Sequence, residues 1–121
     1  IVIAKGADGI STIEAYKTYD KLQGIKHPDV DALINAIYNE EKFSHLCGNV
    51  LELTAFLATV DEIKETMVEL GAENSVMTGS GSAVFGIFDN ERLAEKCCEN
   101  LKKSGFFATV SIPSEQGIEI I

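Results

Sequence analysis

The sequence predicts an α+β fold: an antiparallel sheet in split β-α-β-β-α-β order, with helices on one face and extra helices in the first crossover. Three observations carry this expectation. Ile1-Val2-Ile3-Ala4 opens the chain as an unbroken apolar run of the kind a buried strand presents. Residues 11–71 then repeat their apolar positions at helical spacing. From Ser75 onward short β-branched and aromatic runs take over, interrupted by one further helical stretch. A chain of 121 residues, 45% hydrophobic and 24% charged, can bury one core, so residues 1–121 are expected to form a single domain.

After the first strand, Lys5-Gly6-Ala7-Asp8-Gly9 is a turn, and Ser11-Thr12-Ile13-Glu14 has the form of a capping box. The Ser11 hydroxyl would accept from the third helical amide while Glu14 reaches back to the N–H of Ser11. The helix that starts there carries Ala15, Tyr16, Tyr19 and Leu22 and stops at Gly24. His27-Pro28-Asp29 opens a second helix, with Pro28 where a missing amide does least harm. Val30, Leu33, Ile34, Ile37 and Tyr38 follow at i, i+3, i+4, i+7 and i+8, a close match to one amphipathic face.

Phe43, Leu46, Cys47, Val50, Leu53, Thr54 and Leu57 repeat that spacing and predict a third helix. It would carry Gly48 in its interior at a cost of about 1 kcal/mol. Thr59-Val60-Asp61-Glu62 reads as a second capping box, followed by Ile63, Met67 and Leu70, with Gly71 as the stop of a fourth helix.

Ser75–Thr78 and Ala83–Phe88 are then short strands joined by a Gly/Ser loop. Asp89-Asn90 caps a helix whose inner side is Leu93, Ala94, Cys97, Cys98 and Leu101. Gly105 ends that helix, Phe106 to Ile112 form the last main strand, and Pro113 stops it. The tail Ile118-Glu119-Ile120-Ile121 is expected to add an edge strand. The resulting order is that of a ferredoxin-like sheet.

A net charge of −9 argues against partners bound by neutralising a phosphate backbone or an anionic bilayer, so neither nucleic acid nor membrane is expected. A small phosphorylated ligand remains compatible, since backbone amides can hold it, but the compensating cations would come largely from another segment. The start at Ile1, already inside an apolar run, is likewise what a piece of a longer chain would present. Cys47, Cys97 and Cys98 are odd in number and lack ligand spacing, which argues against a disulfide framework or a zinc site. With no long apolar stretch and no cleavable signal, a cytoplasmic protein is expected.

The residues with chemical promise surround the loop Gly79-Ser80-Gly81-Ser82. Two glycines separated by one serine allow a tight turn and bring successive amides to an anionic group without an intervening Cβ. The same four residues would equally make a plain hairpin connection. Spacing alone makes Ser11 a helix cap and Tyr16 a core aromatic, the plain alternatives to any binding role. His27, His45 and the acidic pairs Glu40-Glu41 and Glu62-Glu65 sit where capping or solvated helix faces explain them, so no catalytic residue and no metal ligand is assigned.

Met77-Thr78-Gly79-Ser80-Gly81-Ser82-Ala83-Val84-Phe85-Gly86-Ile87-Phe88 resembles the third conserved motif of the GHMP small-molecule kinases, which include galactokinase, homoserine kinase and mevalonate kinase. Ile1-Val2-Ile3-Ala4-Lys5, Gly9-Ile10-Ser11-Thr12-Ile13-Glu14-Ala15-Tyr16 and Asn49-Val50-Leu51-Glu52 are similar to the branch that acts in isoprenoid precursor synthesis on a cytidine-diphosphate-linked methylerythritol. These segments occur in the family's order, and the resemblance covers essentially the whole chain. Ser82 stands where the family commonly has Pro, and Gly6-Ala7 replaces the commoner Pro after the strand.

The resemblance implies the C-terminal domain of an ATP- and Mg2+-dependent kinase. Its Gly-rich phosphate loop and catalytic Lys and Asp would lie in a separate N-terminal domain, the chain's implied partner alongside a small-molecule substrate, and the domain alone would be inactive. It also implies a phosphate-site role for Gly79, Ser80, Gly81 and Ser82. Ser11, Thr12 and Tyr16 would line the acceptor pocket, with Tyr16 beside the base. Another kinase of the same family, or a stand-alone module binding a small metabolite, is the competing reading.

Overall fold

The computed structural model describes all 121 residues. Strand β1 (Val2–Lys5) is followed by helices α1 (Thr12–Tyr19), α2 (Val30–Tyr38) and α3 (Ala58–Glu69), then by strands β2 (Asn74–Met77) and β3 (Val84–Ile87), helix α4 (Glu91–Lys103) and strand β4 (Phe107–Val110). The strands form one antiparallel sheet in the order β2-β3-β1-β4. That is the split arrangement the sequence predicts, with β1 and β3 at its centre.

Alternation along the strands decides which side is covered. Val2 and Ala4 of β1 stand opposite Gly86 and Val84 on one neighbour and Val110 and Ala108 on the other, so these positions share a face. On that face α3 contributes Ile63 and Met67, and α4 contributes Ala94, Cys97, Cys98 and Leu101, to a single core cluster. Helix α4 follows the rules a stable helix should. Asn90 caps it, its side-chain oxygen accepting from the Leu93 N–H at 3.1 Å, Glu91 lies in the first turn, and Lys102 and Lys103 close the last.

Several expectations for the first crossover are corrected. The third helix does not form: two 3-10 turns, Ser44–Leu46 and Val50–Thr54, stand in its place. Cys47 and Asn49 between them are extended, because the Asn49 side chain takes partners on β2 and the loop beyond, and its oxygen accepts from the Leu51 N–H at 3.0 Å. Helix α3 begins at Ala58 with Leu57 at the cap and no capping side chain. Thr59 therefore lies inside the first turn, packed toward Gly6 with its hydroxyl buried and unbonded.

The capping box of α1 is half realised. Ser11 accepts from the Glu14 N–H at 3.4 Å, but the Glu14 carboxylate pairs with Lys17 at 3.1 Å instead of reaching back. The helix ends at Tyr19, before Leu22. Asp29, not Pro28, bounds α2, accepting from the Ala32 N–H at 2.9 Å. The tail from Ile118 to Ile121 is exposed and joins no strand, so the expected edge strand is absent.

Candidate functional site

The loop between β2 and β3 is closed by two backbone bonds. The Thr78 N–H donates to the Ala83 carbonyl at 2.8 Å, and the Gly81 N–H donates to the Thr78 carbonyl at 3.1 Å. Gly79 and Gly81 both have positive φ, +57° and +99°, a conformation that L side chains rarely adopt. Their surroundings differ. A Cβ on Gly81 would fall 2.5 Å from Ile10 Cδ1 and 2.9 Å from Met77 Sδ, whereas one on Gly79 would meet nothing within 4 Å. Gly81 is favoured by its left-handed backbone, and a side chain there would also have to push aside the ends of Ile10 and Met77; Gly79 leaves its side of the loop clear. The N–H groups of Gly79 and Ser80 have no acceptor within the chain and are free to donate outward.

Three side chains hold the loop in place. The Asn49 amide donates to the carbonyls of Met77 and Gly79, both at 2.7 Å. Glu52 accepts from the Met77 N–H at 2.6 Å through one oxygen and pairs with Lys64 at 2.6 Å through the other. The Ser82 hydroxyl, buried, donates to the Asp8 carbonyl at 2.5 Å and so ties the loop to the turn after β1. Backbone amides anchored in this way keep their direction when a ligand arrives, and donors that need not reorganise are the effective ones for developing charge.

Helix α1 meets the loop from one side, where the Thr12 and Ser80 hydroxyls share a hydrogen bond of 2.8 Å. Tyr16 follows Thr12 by four residues and so projects from the same face of the helix. The residue is 53% exposed, which removes it from the core. Ser11 is exposed at the helix start with its hydroxyl engaged as the cap. A groove of about 520 Å³ also reaches the loop, running from Gly79 past Asn49 to His27 and Val30.

Of the sequence-predicted positions, the fold thus brings Gly79, Ser80 and Thr12 together with Tyr16 one turn away. It gives Gly81 and Ser82 internal contacts. Asn49 and Glu52 belong to the site's frame and were given no role by sequence reasoning. The segment Asn49-Val50-Leu51-Glu52 carries part of the family resemblance, but nothing in it told which role these two side chains play. No three His, Cys, Asp or Glu side chains converge as metal ligands. The cysteines are free thiols. Burial raises Cys47, and burial followed by the charge of neighbouring Cys98 pushes Cys97 up to about 11, so Cys47 and Cys97 are protonated at neutral pH. No helix is long and apolar enough to cross a membrane.

Residues 45–106 match the family described as GHMP kinases C terminal. The chain is 39% identical over 106 residues to the 4-diphosphocytidyl-2-C-methyl-D-erythritol kinase of Clostridium novyi (strain NT), an alignment covering 84% of this chain and 38% of that protein. It is 38% identical over 107 residues to the kinase of the same name from Bacillus subtilis (strain 168), covering 84% and 36%. A crystal structure of 4-(cytidine 5'-diphospho)-2C-methyl-D-erythritol kinase superimposes with a TM-score of 0.70 at 26% identity, over 88% of this chain and 40% of that one. The chain therefore spans less than half the length of the relatives it matches.

Proposed function

The chain belongs to the GHMP kinases C-terminal family, and from that premise we propose that it forms the acceptor-side half of an ATP-dependent small-molecule kinase. The acceptor is 4-diphosphocytidyl-2-C-methyl-D-erythritol, phosphorylated on its 2-hydroxyl in non-mevalonate isoprenoid precursor synthesis. The names carried by the similar proteins favour this acceptor over those of other GHMP kinases.

The observation that carries the reading is the bond between Thr12 and Ser80. It joins a loop with two outward-free N–H groups to a helix face bearing an exposed aromatic. Phosphoryl transfer is mostly positioning and charge stabilisation. In this reading the N–H groups of Gly79 and Ser80 donate to phosphate oxygens. Tyr16 stacks on the cytosine, and Thr12, with Ser11 beside it, lines the pocket between. Gly81, Ser82, Asn49 and Glu52 are positioning residues that hold the loop.

ATP supplies the phosphoryl group, and the loop amides fit the phosphates of such a ligand. Mg2+ is a different matter. The family resemblance assigns its ligands and the catalytic base to the remaining part of the kinase, an N-terminal domain. A chain of net charge −9 with free thiols suits a cytoplasmic small-molecule enzyme without nucleic-acid or membrane partners.

The test is a chimera in which this chain replaces the matching segment of the Clostridium novyi kinase. In it, Tyr16→Ala should raise the acceptor KM about 10- to 100-fold, the loss expected for one stacked base, with the KM for ATP and the thermal midpoint unchanged. A lowered midpoint with an unaltered acceptor KM would reject the assignment.

A further inference from the structure

We propose that the apolar stripe of α2 is the surface on which the rest of the kinase polypeptide docks, so that the docked body reaches the Gly79 loop along the groove beside it. The inference rests on the kinase reading above and adds to it the surface by which the two parts meet.

Helix α2 is well formed, bounded by the Asp29 cap, and its apolar residues fall in one stripe. Yet Ala36 is its only buried residue. Ile34, Ile37 and Tyr38 are 44%, 52% and 83% exposed, and Val30 is exposed as well. A contiguous apolar stripe without cover marks an interaction surface, unlike single apolar residues scattered over a molecule.

Two observations say what covers it. The relatives extend well beyond the segment this chain matches, which is 38% and 36% of their length, so proteins of this kind carry a further body large enough to cover an open apolar stripe. Val30 and Leu33 line the same groove as Asn49 and Gly79. A body seated on α2 therefore ends beside the loop amides, where the missing phosphate-binding and basic groups are needed. The rim is charged in both signs, with exposed Lys26 and Lys42 beside Asp31, Glu40 and Glu41, a polar border of the kind that surrounds an apolar docking patch. The chain's net charge of −9 opposes an anionic lipid surface as the occupant.

Hydroxyl-radical footprinting of Tyr38 tests this, comparing the isolated chain with chimeras made in both the Clostridium novyi and Bacillus subtilis kinases. Two hosts are used so that one poor junction does not decide the outcome. Tyr38 should be labelled about tenfold more slowly in the chimeras, while Val68 on α3 keeps its rate. In the isolated chain, sedimentation should give a monomer with Tyr38 freely labelled at all concentrations.

Equal labelling of Tyr38 in chimera and isolated chain overturns the inference, as does failure of both chimeras to assemble. Protection that grows with concentration in the isolated chain, abolished by Ile34→Glu with Ile37→Glu, overturns it in favour of a second copy. A chimera that phosphorylates the acceptor with Tyr38 unprotected sinks the docking surface alone. One with Tyr38 protected but no kinase activity supports the docking surface and sinks the proposed function instead.

Discussion

In α4 the inner positions Ala94, Cys97, Cys98 and Leu101 are all buried, whereas in α2 the corresponding apolar stripe stays open to solvent and only Ala36 is covered. Both helices have a side-chain N-cap and a clear apolar face. The difference lies in what stands opposite. Helix α4 lies across β1 and β4, while α2 leans on the short 3-10 turn at Ser44–Leu46. An amphipathic pattern specifies which side of a helix seeks cover, and the covering surface has to come from elsewhere. The two loop glycines repeat the contrast on a smaller scale, Gly81 enclosed by Ile10 and Met77, Gly79 open.

The largest effect should come from truncating each helix in turn. Leu101→Ala removes a fully buried side chain and should cost about 2 to 5 kcal/mol, a fall of at least about 10 °C in Tm, whereas Ile37→Ala should stay within about 1 kcal/mol. Equal losses at the two sites would break the comparison, because α2 would then be packed as α4 is. Urea unfolding of the isolated chain measures both.

The glycines give the next largest separation. Gly81→Ala combines a left-handed backbone with a collision against Ile10 and should cost about 2 to 3 kcal/mol, while Gly79→Ala, strained in backbone alone, should cost about 1 kcal/mol. If Gly79→Ala proved the more damaging, the open side of the loop would be filled.

The smallest expected effect concerns the thiols of the enclosed region. Folding raises Cys97 from 9.0 to about 11, so above 9 the unfolded chain releases a proton that the folded chain keeps. The stabilisation is therefore complete below about pH 9 and is lost as pH rises towards 11. Tm should fall over that window, and by less in Cys97→Ala. In the folded chain at neutral pH, a thiol reagent should reach half-exposed Cys47 before Cys97 or Cys98.

What the sequence determined by itself were those features within a turn or a strand length that met no competing partner elsewhere in the chain. The apolar alternation of β1, the Asn90 cap and inner face of α4, the Ser11 cap and the Gly/Ser loop were legible because each depends on residues a few positions apart. The family resemblance singled out the loop and Thr12, and the fold puts Thr12 in hydrogen-bond contact with Ser80 of that loop.

The tertiary structure decided where local preference met a distant competitor. Asn49 interrupts an otherwise helical pattern because its amide finds carbonyls 28 and 30 residues away on Met77 and Gly79. Thr59, which reads as a cap, is drawn inside α3 against Gly6. Tyr16 is kept out of the core, and Ser82 is buried with its hydroxyl bonded to the Asp8 carbonyl 74 residues away. Helical and strand periods follow from backbone geometry that every residue carries with it. Burial and long-range hydrogen bonds depend on which surfaces the assembled sheet brings opposite one another, and a repeat in the sequence holds no record of that.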